Sequence, residues 1–197
     1  MKKTFKKTLT YISFATLLLT TTNLSADDIT DTMEDALSAY KKGDYVQAKE
    51  DLTYVMELLK QKKGETIQGF LPEALDGWKA EEAKSENAGS GMLGGGSTTS
   101  RTYTKGESKI LIEVITDSPL LQGLGSLLGN PMFNSGGKLK RINREKATIK
   151  YNTKNESGDV TIMLDKRFLI TVKGSKVTED ELIDYAKAID LKKIKEQ

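Results

Sequence analysis

The stretch of this chain closest to a known chemical motif is Gly-Ser-Gly-Met-Leu-Gly-Gly-Gly, residues 89–96. Its first, third and sixth positions match the G-x-G-x-x-G fingerprint of dinucleotide-binding loops. That chemistry needs a strand before the glycines and a helix after them, because the helix N-terminus supplies the free N–H groups that hold phosphate. The preceding residues are charged, and residues 97–103 favour a strand. We therefore predict a flexible loop between strands, in which Met92 and Leu93 are the apolar residues.

The chain contains no histidine and no cysteine. Their absence excludes Ser-His-Asp and Cys-His nucleophiles and the usual zinc, copper and haem sites. Carboxylates, a Ser-Lys pair and tyrosine remain, but no spacing in the sequence indicates them. The acidic residues within 27–35 lack the arrangement of a calcium loop. We therefore predict no catalytic residue, no metal site and no cofactor.

The first residues have the features of a secretory signal peptide. Four lysines within residues 2–7 precede an apolar stretch, Tyr11 to Leu19, that is shorter than the roughly 20 residues of a bilayer span. Leu24-Ser-Ala26 suits cleavage after Ala26. We expect residues 1–26 to be removed on export and the mature chain to reside in the periplasm.

Removal of this segment changes the net charge. The full chain has 30 basic and 28 acidic residues, and loss of the four lysines changes the net charge from +2 to −2. Nucleic-acid binding proteins present strongly basic surfaces. We therefore predict no nucleic-acid partner.

Two amphipathic helices are predicted at the start of the mature chain. Apolar residues within 29–40 have helical spacing, Lys42-Gly-Asp44 interrupts the pattern, and a second run over 45–59 is expected to end at Gly64. The turn resembles that of a tetratricopeptide helical hairpin, although only one unit is visible. A lone hairpin must bury its apolar face on another surface, and we expect it to dock on the rest of the protein ahead of a partner.

Strand patterns dominate the chain after residue 69. Residues 101–105 and 109–115 flank Gly106 as a predicted β-hairpin. Apolar and polar residues then alternate through three further segments, which predict a meander: 147–151, 160–164 and 168–172.

A last helix is predicted after Thr178, because Thr178 and Glu181 have the spacing of a capping box. The predicted fold class is α+β, with an N-terminal helical hairpin followed by an antiparallel β-sheet that has helices packed on one face. The predicted organisation is a signal peptide, a helical hairpin and an α+β domain, at residues 1–26, 27–68 and 69–197.

The segment from Ser118 to Phe133 is unusually apolar for a connection between strands. Gly123 and Gly125 each weaken a helix by roughly 1 kcal/mol, so a helix there is marginal. A buried crossover is the interpretation that large apolar side chains favour. As a flap, the segment would instead cover an apolar ligand or dock on a protein or lipid surface. With Met92 and Leu93, the candidate ligand- or partner-binding residues are Leu120, Leu121, Leu124, Leu127, Leu128, Met132 and Phe133.

Residues 138–150 form a basic stretch. The strand pattern places Arg144, Lys146 and Lys150 on one face, where they can meet phospholipid or lipopolysaccharide headgroups. A solvated sheet face is the simpler interpretation. Peripheral membrane contact is therefore one option for this protein.

Four motifs resemble a family of uncharacterised periplasmic proteins of Gram-negative bacteria. They are Leu71-Pro-x-x-Leu-x-Gly-Trp78, Asp117-Ser-Pro-Leu-Leu121, Asn130-Pro-Met-Phe133 and the closing strand and helix over 168–191. The last of these is similar to small exported domains of the PsbP-like kind. The resemblance covers most of the mature chain, implies an α+β accessory or binding module, and supplies no catalytic residues.

These features predict an exported, non-enzymatic periplasmic binding or accessory protein that acts through the apolar flap and a sheet face. The expected partner is an envelope protein or an apolar ligand, and the oligomeric state is left open. The alternatives are a carboxylate-dependent cell-wall hydrolase and a periplasmic lipid carrier.

Overall fold

The computed structural model describes residues 26–87, 96–121, 123 and 137–197. Its two N-terminal helices are α1 (Ala26–Lys41) and α2 (Tyr45–Gln68), and its two C-terminal helices are α3 (Glu179–Ala188) and α4 (Leu191–Lys195). The strands between them are β1 (Lys79–Ala80), β2 (Lys84–Asn87), β3 (Ser97–Lys105), β4 (Ser108–Thr116), β5 (Lys138–Ile142), β6 (Glu145–Asn152), β7 (Ser157–Leu164) and β8 (Phe168–Ser175). The predicted α+β fold class is confirmed.

The eight described strands form one antiparallel sheet in the order β1-β3-β4-β8-β7-β6-β5. Strand β2 pairs with the N-terminal half of β3, and β1 pairs with the C-terminal half. The predicted β3–β4 hairpin and the β6–β7–β8 meander are both present. At the β3–β4 turn Gly106 has a φ of +60°, a conformation that glycine adopts without steric cost.

The main core lies on one face of this sheet. Alternate residues of the central strands, such as Ile112 of β4 and Ile170 of β8, have no exposed surface. Helices α3 and α4 cover this face and contribute Leu182 and Ile194 to the same cluster. The capping box predicted for α3 is present, because the backbone N–H of Glu181 donates to the Thr178 hydroxyl at 3.2 Å and the Glu181 carboxylate accepts from the Thr178 N–H at 2.8 Å.

One short strand and one turn differ from the sequence prediction. Strand β2 supplies the strand expected before the glycine-rich loop, whereas strand β5 was not predicted and pairs with the longer β6. Asn143 and Arg144 form the β5–β6 turn with φ values of 49° and 73°. Arg144 therefore does not share a strand face with the exposed Lys146 and Lys150, and that prediction is wrong.

Helices α1 and α2 form the predicted hairpin. The Asp44 side chain caps α2 by accepting the Gln47 N–H at 3.1 Å, and Gly43 has a φ of +80° at the turn. The expected end of α2 at Gly64 is wrong, because the helix continues to Gln68. Gly64 is buried, and a Cβ there would lie 2.9 Å from the Cβ of Ser85 in β2. The glycine therefore marks a close approach of helix to strand.

The hairpin docks on the α+β domain through the last turns of α2. Ile67 is a member of the main core, and Lys63 pairs with Asp117 at the end of β4, with a nitrogen to oxygen distance of 2.8 Å. Helix α1 packs along the first part of α2, and its most buried residues are the small Ala36 and Ala39. The expectation of docking on the rest of the protein is therefore confirmed for the end of α2 and not for α1.

Candidate functional site

The exposed apolar surface of the described chain is concentrated on the helical hairpin. Eleven large apolar side chains are 42% exposed or more, and nine of them belong to α1 and α2. The two others are Leu120 and Leu139. Scattered exposed apolar side chains are normal on a soluble domain, but a contiguous group usually marks an interaction surface.

Seven of these nine side chains lie on one face of the hairpin, which we call the hairpin face. On α1 they are spaced by four and three residues, and on α2 by seven, four and three, so that each set forms a stripe along its helix. On each helix, the stripe lies about a quarter turn around the helix axis from the residues that pack against the other helix, and the direction of that turn is the same on both. Because the two helices are antiparallel, the two stripes therefore point to the same side of the hairpin. The hairpin face consists of Met33, Leu37, Tyr40, Tyr45, Leu52, Met56 and Leu59.

Contacts between the helices confirm that the two stripes adjoin. The rings of Tyr40 and Tyr45 have centroids 5.8 Å apart with an interplanar angle of 55°. A shallow groove of about 350 Å³ lies next to these two rings, and its lining includes both tyrosines, Leu52 and Met56. The groove is open along the helix pair, a shape that suits the side chains of another helix.

The residues inside the hairpin explain why this face stays open. Its own interface buries Ala36, Ala39, Ala48, Val55 and Leu58, so three of the five residues are alanines. Small side chains let the two helices approach closely, and they leave the larger apolar side chains beside the interface. Val46 and Tyr54, 72% and 56% exposed, lie on other sides of α2.

Charged side chains lie at both ends of the hairpin, and both signs occur at each end, since Asp44 is exposed at the tip and paired lysines lie in the last turns of α2. Asp28 and Asp31 are exposed at the base of α1, and Lys41 and Lys42 are exposed at the tip. Among the described residues, none of these four side chains forms an ion pair. Each end of the hairpin therefore has charge available for another molecule.

The residues that the sequence predicts as the binding site are placed only in part. Leu120 is 48% exposed and Leu121 is 2% exposed, so the two neighbours face solvent and interior respectively. Their role in binding stays a prediction. The other predicted residues lie outside the described residues: Met92, Leu93, Leu124, Leu127, Leu128, Met132 and Phe133.

The strands on either side of the glycine-rich stretch argue against a dinucleotide-binding loop at residues 89–96. Strands β2 and β3 are antiparallel partners, so a strand follows the glycines where a dinucleotide loop needs a helix. Gly96 has a φ of +116°, and a Cβ there would lie 2.6 Å from the Thr116 carbonyl oxygen. This last glycine of the stretch is therefore required by backbone packing. Residues 88–95 lie outside the described residues.

Two larger depressions also lie on the described surface. One, of about 620 Å³, is an open hollow on α2 lined by Tyr45, Val46 and Tyr54, beside the groove, with which it shares Tyr45. The other is a cleft of about 560 Å³ beside Trp78. Its acidic side chains are Asp76, Glu181 and Asp184. The Lys105 ammonium binds the Glu181 carboxylate and lies 4.9 Å from the centre of the Trp78 ring. A hydrogen bond from Lys105, together with one from the Thr178 N–H, lowers the pKa of Glu181. A general acid in a hydrolase needs a raised carboxyl pKa, so Glu181 has the opposite property.

Tyrosine chemistry has no better support in the described chain. Burial raises the pKa of Tyr103, and its hydroxyl donates to the Pro72 carbonyl at 2.7 Å. Arg101 donates to the same carbonyl at 3.0 Å and to both carboxylate oxygens of Glu73. These bonds hold the connection between α2 and β1 on the sheet. They account for the cluster as a structural feature.

Within the described ranges, no group of three or more acidic side chains, the three of the cleft beside Trp78 included, is arranged so that it could hold a metal ion. None of the described helices combines the length and apolarity that crossing a membrane requires. Comparison of the chain with protein-family models, curated proteins and solved structures finds no match. The PsbP-like resemblance therefore stays an interpretation of the motifs.

The sequence does contain a signal for the hairpin face. The apolar residues of α2 between positions 45 and 59 occupy more than one stripe, whereas a helix that packs on one surface needs a single stripe. Sequence periodicity predicted a helix whose apolar residues dock on the rest of the protein, because it does not reveal that α1 would cover only one side of α2. The excess of apolar residues indicated a second interface.

Proposed function

We propose that the mature chain is an exported, non-enzymatic accessory protein of the periplasm and that it binds another protein through the hairpin face. The observation that carries this proposal is the concentration of nine of the eleven exposed large apolar side chains on α1 and α2. Seven form one continuous surface, which is larger than solvation alone favours. Export is supported by the basic and apolar segments within residues 1–26.

The shape of the hairpin face favours a protein partner over a small ligand. Ligand and lipid pockets enclose most of the molecule that they bind. The hairpin face is a ridge of two helices with a shallow groove, and aromatic and methionine side chains are enriched on it. Tyrosine and methionine are typical of the centres of protein interfaces.

A crosslinking experiment in cells tests both binding and export. A photo-crosslinking amino acid is placed at Leu52 in the full-length protein, and for comparison at Leu139, which is 68% exposed on β5. We expect an adduct of one defined mass from Leu52, found in the periplasmic fraction, and none from Leu139. Substitution of the neighbouring Met56→Gln should reduce the adduct.

Two results would count against the proposal. Equal crosslinking from Leu52 and Leu139 would indicate that the hairpin face has no specific partner. Retention of the unprocessed protein in the cytoplasm would exclude the periplasmic role.

A further inference from the structure

The partner that best fits the hairpin face is a second copy of this chain. We infer that two copies pack their hairpin faces together as an antiparallel four-helix bundle, with the tip of each hairpin at the base of the other. This inference rests on the proposed function and names the partner at the same surface. It is carried by the area of the face and by the spacing of its residues.

The area matches what a stable dimer requires. The seven side chains are 42% to 67% exposed, which gives on the order of 600 Å² of largely apolar surface if each offers about 150 Å², the lower value for aromatic side chains, because five of the seven are Leu or Met. A standard protein interface buries roughly 600–1,000 Å² on each partner. One hairpin face therefore reaches the lower end of what an isologous interface needs, with the same residues used on both copies.

The spacing suits helix packing between two copies. Steps of three and four residues place side chains on a line along the helix, as they do in the seams of helical bundles. On α2 the stripe runs from Tyr45 to Leu59, about 21 Å at 1.5 Å per residue. A pair of antiparallel helices that carries such a stripe on each member can build half of a four-helix bundle.

The positions of the two α+β domains select the orientation. If the tips point in opposite directions, α1 of one copy lies along α1 of the other, and the two α+β domains lie at opposite ends of the bundle. If the tips point the same way, the lysines at the two tips, Lys41 and Lys42 of each copy, meet at one end, and the two α+β domains meet at the other. Opposite tips therefore separate both the like charges and the domains.

Cysteine crosslinking tests the orientation directly, because the chain has no cysteine of its own. Leu52 lies at the middle of the α2 stripe, Tyr45 to Leu59, so the two Leu52 side chains face each other across the twofold axis only when the tips are opposite. We expect the mature chain with Leu52→Cys to form a disulfide dimer rapidly under mild oxidation. The matched control Val46→Cys, 72% exposed outside the hairpin face, should remain mostly monomeric.

Sedimentation equilibrium of the mature chain, residues 27–197, measures the association itself. We expect a dimer, weakened by at least about tenfold in the Leu52→Gln/Met56→Gln variant, which loses two central apolar contacts on each copy. Leu139→Gln should leave the dissociation constant unchanged. Circular dichroism checks that each variant keeps its helices, since the substituted side chains are exposed.

The outcomes separate this inference from the proposed function. A monomer at about 100 µM, or a dimer that Leu52→Gln/Met56→Gln does not weaken, would overturn the dimer. If the in-cell adduct from Leu52 then has the mass of a different protein, the hairpin face is a binding surface for that protein and the proposed function stands. If there is neither a dimer nor an adduct, both proposals fail.

Discussion

The contact between α2 and β2 leads to a stability prediction whose sign depends on one neighbouring residue. A Cβ added at Gly64 would lie 2.9 Å from both the Cβ and the hydroxyl oxygen of Ser85. Two carbon atoms prefer a separation of about 3.5–4.0 Å. The hydroxyl can rotate away, but the Cβ of Ser85 is fixed to the strand, so α2 must move outward by roughly 0.6 Å or more.

Two opposing terms set the size of the effect. Overpacking of this kind costs about 1–3 kcal/mol, while alanine in place of glycine in a helix interior gains about 1 kcal/mol. We expect Gly64→Ala to reduce the free energy of unfolding by about 1 kcal/mol. In a Ser85→Gly background the clash is absent, and the same substitution should increase that free energy by up to about 1 kcal/mol.

Urea unfolding of the chain from residue 27 to residue 197 measures all four proteins of this double-mutant cycle. The single tryptophan, Trp78, is buried, so its fluorescence reports unfolding of the core, and circular dichroism reports the helices. Ser85 also bonds Thr99 and Gln68, but the loss of those bonds is common to both halves of the cycle and cancels. If Gly64→Ala is stabilising in the wild-type background, or has the same effect in both, the helix does not approach the strand as described.

Two glycines with positive φ and one glutamate with a lowered pKa give further predictions of the direction in which stability changes. Gly96→Ala should lower the free energy of unfolding by at least about 2 kcal/mol, because it combines a φ of +116° with the close Thr116 carbonyl. Gly106→Ala, with a φ of +60° and no neighbour within 4 Å, should lose only about 1–2 kcal/mol in the same urea assay. The pKa of Glu181 is lower in the folded protein than its ordinary value of 4.5. The ionised carboxylate of Glu181 therefore stabilises the fold fully at a pH above 4.5, and this stabilisation is lost as the pH falls through the folded-state pKa. Thermal melts at pH values from 7 down to about 2.5 should therefore show a flatter acid decline for Glu181→Gln than for the wild type.

Local sequence signals predict the elements whose side-chain pattern is set by the sheet or helix itself. The alternation of buried and exposed residues in β6, β7 and β8 is visible in the sequence, because one face of these strands packs on the core. The capping box at Thr178 and Glu181 is equally local, since both partners lie within one helical turn.

Elements that depend on a neighbour were missed, misjudged or only weakly indicated by the sequence. Strand β2, Lys-Ser-Glu-Asn, has no strand-forming pattern, and it is extended because it pairs with β3 along residues 97–100. Strand β5 likewise pairs with β6. Gly64 looks like a helix terminator until Ser85 is placed against it. The hairpin face was missed for the same reason, since periodicity identifies apolar stripes and not the surfaces that cover them.

The helical hairpin buries little apolar surface on its own, and this property relates its fold to its proposed role. Apart from Ile67, its buried apolar residues lie outside the main core, and the α1–α2 interface rests largely on three alanines, which bury little apolar surface. Helices of this length gain most of their stability in proteins from packing an apolar face. Because the larger apolar side chains of α1 and α2 remain outside that interface, packing against a second hairpin would supply most of the burial that the hairpin lacks. If the hairpin face binds a second copy as proposed, binding and folding of α1 are coupled, and the stability that α1 gains on association measures occupancy of the hairpin face.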